Sequence, residues 1–92
     1  MPDITVTGGE GRFAVEVLGG GGSTAHAVTV PAGFAEALGW GEDGAGLVRA
    51  SFEFLLEREP ATSILRRFSL DVIEGYFPGY RSEMAARRGS GA

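Results

Sequence analysis

The chain reads as an α+β domain: a three-stranded antiparallel meander at about residues 3–7, 12–18 and 24–30, covered on one face by C-terminal helices. Three observations predict this. Apolar residues alternate with period two as far as Val30, the pattern of half-buried strands. Only short glycine-rich stretches separate the alternating runs, and such links join antiparallel neighbours, because a parallel pair needs a crossover of a dozen or more residues. Beyond Pro31 the apolar spacing changes to three and four, the period of a helix.

In the first strand Ile4 and Val6 share a face opposite Thr5 and Thr7, and the glycines around Glu10 supply a turn. Phe13, Val15 and Val17 repeat the alternation against Glu16. A looser turn over 19–23 leads to the third strand, with His26, Val28 and Val30 on one face. An alternative is a two-stranded hairpin whose first segment frays at an edge. One apolar sheet face needs a cover.

Pro31 stops the third strand and suits the first position of a helix over about 32–38, with Phe34 and Leu38 on its apolar side and Gly39 as its cap. Asp43 is the expected N-cap of a helix over 44–58. Leu47, Val48, Phe52, Phe54, Leu55 and Leu56 make that helix the most buried, and Pro60 ends it. A short helix is expected at 62–67, with Ile64, Leu65 and Phe68 turned inward. A longer one is expected at 70–88, kinked at Pro78 or split there into 70–76 and 78–88, with a frayed tail at 89–92.

With 92 residues the chain has room for one small domain and one modest core, spanning 1–92. No linker or repeat divides it. Cysteine is absent, which excludes disulfides, thiolate nucleophiles and cysteine-based metal sites. The absence of staples in so short a chain, with no apolar run long enough to span a bilayer and no signal-peptide start at Met1-Pro2-Asp3, predicts a cytoplasmic protein. All eight basic residues are Arg; residues 1–46 carry −5 and residues 47–92 carry +1, for a net charge of −4. That balance opposes general affinity for nucleic acid.

The motifs that could carry chemistry are weak. Residues 39–44 match G-x-G-x-x-G, but they follow a helical segment, whereas a dinucleotide fingerprint leaves a strand and opens a helix. Residues 19–24 resemble a phosphate loop without its lysine, and they lead into a strand. His26 is the sole histidine, so any imidazole chemistry runs through it, with Asp3 or Glu16 as neighbours; the simpler expectation is a rim or surface histidine. Glu53, Glu57, Glu59, Asp71 and Glu74 carry no mark of burial and suit a solvated helix face. The expectation is therefore no catalytic residue, no cofactor and no metal.

Aromatics are dense from Trp40 onward: Trp40, Phe52, Phe54, Phe68, Tyr76, Phe77 and Tyr80. So small a core need not hide them all, and Tyr and Trp suit interfaces. Trp40, Tyr76, Phe77 and Tyr80 are the candidate partner-binding residues, for a protein partner or a second copy. The alternative is a nucleic-acid-associated regulator that uses Arg66, Arg67, Arg81, Arg87 and Arg88, with the nearby aromatics as stacking surfaces. No membrane partner is expected.

The run SFEFLLEREP at 51–60, followed by Ser63-Ile-Leu65, Phe68-Ser-Leu70, Ile73 and Tyr76-Phe-Pro-Gly-Tyr80, resembles the C-terminal block of a family of short uncharacterised prokaryotic proteins. The resemblance covers about a third of the chain. It implies a stand-alone small protein; no activity is established for such proteins, so it implies no site residues. The reading is a non-enzymatic interaction or adaptor module.

Overall fold

The computed structural model describes residues 3–19 and 22–90, with side chains as far as Arg87. Strands β1 (Asp3–Gly9), β2 (Arg12–Gly19) and β3 (Gly22–Thr29) form the expected antiparallel meander. Glu10 and Gly11 make the tight turn between β1 and β2, with φ of 53° and 81°. Such a two-residue turn matches the twist of the strands it joins, and its second left-handed position suits glycine. Along β2 the side chains alternate without a break: Phe13, Val15 and Val17 are buried, Ala14 and Glu16 exposed.

The sheet has a fourth strand that the sequence pattern did not reveal. β4 (Arg67–Ser69) lies beside β3 and runs parallel to it, giving the order β1-β2-β3-β4. The expected helix at 62–67 is thus corrected to a single 3-10 turn at Ala61–Ser63 followed by a strand. The sheet is mixed, not purely antiparallel. The stretch between β3 and β4, which contains α1 (Phe34–Ala37) and α2 (Gly44–Leu56), supplies the long crossover that a parallel pair requires. Three residues with only Phe68 turned inward are too few to show a period of two.

Helix α2 is the central cover. Asp43 caps it, its carboxylate accepting from the Gly46 N–H at 2.9 Å. Leu47, Val48, Ala50, Ser51, Phe52, Phe54 and Leu55 are buried, and the helix packs on the apolar sheet face, closest to β1. Phe52 has no exposure; its ring lies 5.1 Å from that of His26 and 6.0 Å from that of Phe68. It thereby links helix, β3 and β4. Removing such a ring costs about 3–5 kcal/mol.

The helical region over 70–88 is split at Pro78 rather than kinked. A 3-10 turn (Leu70–Val72) runs into α3 (Ile73–Tyr76), and α4 (Tyr80–Ser90) starts after the interruption. Phe77 precedes Pro78 and is extended, at φ −130° and ψ 92°; the proline ring excludes the helical conformation from the residue before it. The break turns α4 back onto α2, where Tyr80 and Met84 enter the core. The first expected helix is also shorter, α1 holding only four residues. Of the expected frayed tail, 89–90 continue α4, and residues 91–92 lie outside the described residues.

Candidate partner-binding groove

An apolar groove of about 270 Å³ opens between the C-terminal end of α2, the segment leading into β4, and α3. Leu55 and Ile64 form its base, with Phe68 and Phe77 on the walls and Leu65, Val72 and Tyr76 on the rim. The rim residues are exposed: Leu65 by 53%, Val72 by 38% and Tyr76 by 69%. These three large apolar side chains are left in water around one concavity and are not scattered singly over the surface.

Each wall is held rigidly. The Phe77 ring meets Phe54 edge-on at 5.7 Å, and Phe54 in turn meets Tyr80 at 5.5 Å. The Arg58 guanidinium lies over the Phe54 ring, 3.7 Å from its centroid. On the β4 side, the Ala27 N–H donates to the Arg66 carbonyl at 2.7 Å, and the His26 ring reaches the Leu65 carbonyl at 2.8 Å. The segment that carries Leu65 and Phe68 is therefore pinned to β3.

The four candidate partner-binding residues separate. Tyr76 and Phe77 meet at the groove. Tyr80 has no exposure; its hydroxyl pairs with Ser51 Oγ at 2.6 Å, and burial pushes its pKa up to about 12. Trp40 is half-buried, its indole N–H donating to the Met84 carbonyl at 3.0 Å, and it ties α4 to the loop before α2. Leu65 and Val72 are the groove residues that the sequence reading missed. Helical spacing turned Leu65 inward, whereas it lies in an extended link between the 3-10 turn and β4.

Two of the candidate arginines are engaged by carboxylates. Arg81 pairs with Glu74 at 3.0 Å, and Arg87 pairs with Glu57 at 2.9 Å and with Glu83 at 3.2 Å. The Arg87 guanidinium holds the Glu57 carboxyl below the ordinary carboxylate range. Arg66 and Arg67 stand exposed at β4. The side chain of Arg88 lies outside the described residues.

His26 is not at the rim. It is 4% exposed, with Nε2 against the Thr24 hydroxyl at 2.8 Å and Nδ1 on the Leu65 carbonyl. Its parity along β3 faces it to the core, and Glu16 stands on the opposite face of the sheet. Polarity alone predicts a rim position; a ring whose two nitrogens are both hydrogen-bonded is buried at little cost. Residues 39–44 join α1 to α2 and do not leave a strand. The phosphate-loop reading falls partly on residues 20 and 21, outside the described residues, and Gly22–Thr29 after it is a strand. Among the described residues no group of three His, Asp or Glu is placed to hold a metal ion, and no helix is long and apolar enough to cross a membrane.

Comparison with protein-family models, with curated proteins and with solved structures returns no match to this chain.

Proposed function

We propose that the protein is a non-enzymatic interaction module whose binding site is the apolar groove between α2, β4 and α3. The observation that carries this reading is the exposure of Leu65, Val72 and Tyr76 around one concavity of about 270 Å³. A chain with so small a core leaves large apolar side chains in water at a cost, and their convergence on a preformed hollow offsets that cost when a partner buries them. The groove has the size of one or two large side chains, the scale of an interface anchor. Its polar lining is Glu59 and Ser63, and His26 is not part of it. The ion pairs of Arg81 with Glu74 and of Arg87 with Glu57 and Glu83 make these cations poor phosphate ligands, which favours a protein partner over nucleic acid.

Selection of random peptides displayed against the immobilised protein tests the reading. The expected result is enriched peptides whose affinity falls about tenfold or more with Leu65→Asp or Tyr76→Asp. Both positions are exposed, so the fold tolerates the change. Binders indifferent to both substitutions, or no enrichment, would overturn it.

A further inference from the structure

We infer that the groove takes an extended partner segment, added as a strand along the open edge of β4, in which large apolar side chains alternate with acidic ones. This rests on the groove being the interaction site, and it names the occupant.

β4 is the outermost strand of the sheet. In a parallel ladder, alternate residues turn both backbone groups to the same neighbour. The Ala27 N–H takes the Arg66 carbonyl, and Ala27 stands opposite Arg67. Phe68 therefore faces β3 with its N–H, while Arg67 turns N–H and C=O away from the sheet and Ser69 turns its N–H away; the Ser69 carbonyl accepts the first bond of the 3-10 turn at Leu70–Val72. An edge with unpaired backbone groups is a template for another strand. Natural edges are blunted by shortness, by covering or by inward-pointing charge; β4 has only three residues, but its inward side chain is the apolar Phe68, which lines the groove.

The pleat sets the occupant's pattern. Phe68 pairs with buried Val28 and points to the helix side, whereas Arg67 pairs with exposed Ala27 and points to the outer face. A strand added beside β4 thus presents every second side chain to the groove, between Phe68 and the Val72–Tyr76 rim, and the others to the outer face beside Arg67. The groove positions call for large apolar groups. Glu59 on the groove wall excludes acids there. On the outer face the charge preference reverses. Arg67 is exposed there, and among the described residues it is in no ion pair. Opposite charges directly across a strand pair attract and like charges repel, so acidic partners are selected beside Arg67.

Two synthetic peptides decide the matter, one alternating Leu and Phe with Glu, the other carrying Lys in place of every Glu. They are titrated into the full chain and followed by fluorescence polarisation and by amide hydrogen exchange. The expected result is tighter binding of the acidic peptide, slowed exchange at the Arg67 and Ser69 amides, and about tenfold weaker binding of the acidic peptide with the exposed change Arg67→Glu, which in turn improves binding of the lysine peptide. Binding abolished by Tyr76→Asp with no protection of those amides would sink the strand addition and leave the groove standing as the interaction site. Equal affinity for both peptides, or none for either, would also overturn it, and the peptide selection described above then judges the groove separately. Protection that grows with protein concentration in the absence of peptide would assign the edge to a second copy, against the inference.

Discussion

The His26 ring and the Leu65 carbonyl meet at 2.8 Å across 39 positions of sequence, and this contact holds one wall of the groove to the sheet. A carbonyl only accepts, so Nδ1 carries the proton, and in the neutral ring Nε2 accepts from the Thr24 hydroxyl at 2.8 Å. The histidine is a strut. It fixes the turn out of the 3-10 segment, and β4 follows directly from it.

Replacement His26→Phe keeps the apolar contact with Phe52 and removes both hydrogen bonds, leaving the Leu65 carbonyl without its partner. Stability should fall by about 1–3 kcal/mol. Urea unfolding reads the loss, and amide exchange at Phe68 should rise more than exchange in β1 or β2, because β4 is held by only a few ladder bonds. An unchanged midpoint would show the bond to be idle.

Tyr80 gives a pH signature. Its phenol is pushed up to about 12, chiefly by burial, with the Ser51 hydrogen bond acting in the opposite direction. An unfolded tyrosine ionises near 10, so above that pH the unfolded state releases a proton that the folded state retains. The contribution is fully present below about pH 10 and is lost as pH rises towards 12, a fall of roughly 2–3 kcal/mol. Tyr80→Phe should flatten this alkaline limb and cost about 1 kcal/mol at neutral pH, since Ser51 Oγ keeps its bond to the Leu47 carbonyl. Denaturant midpoints measured from pH 8 to 11 check both.

Arg49 guards the other edge of the sheet. The turn at Glu10 and Gly11 makes Gly9 and Arg12 a hydrogen-bonded pair, so by alternation Ile4, Val6 and Gly8 turn their backbone groups outward. The Arg49 guanidinium occupies the Ile4 carbonyl on that edge. Arg49→Ala should therefore expose a strand template and produce concentration-dependent self-association in light scattering, with little change in the unfolding midpoint of the dilute protein. A variant that stays monomeric at high concentration would show that Gly8, whose φ of 116° bends the edge, protects it unaided.

The engaged arginines predict weak phosphate affinity. Retardation of single-stranded RNA or DNA should be absent at physiological salt and abolished at any salt by Arg66→Glu with Arg67→Glu. A salt-sensitive shift that survives this double change would bring the α4 arginines back into contention.

The sheet meander was legible because its information is local. Phe13, Val15 and Val17 alternate, and a two-residue turn leaves an antiparallel neighbour as the only partner. The same holds for α2, whose cap at Asp43 and stop at Pro60 are each a matter of a few residues. The groove was half legible. Tyr76 and Phe77 were marked by aromatic density, while nothing separated them from Tyr80, which shares their spacing and is wholly buried. Pro78 decides that difference: it ends α3 and starts α4 in a new direction, so spacing measured across it no longer describes one face. β4 and its neighbours were beyond local reading. The conformation of 64–69 is set by hydrogen bonds to His26 and Ala27, residues some forty positions earlier. The amino-acid order thus determined which stretches are strand or helix wherever a neighbour within a turn suffices. Which side chains stay in water, and hence where a partner can sit, was decided only when distant segments met, because exposure depends on what packs across a residue and not on the residue itself.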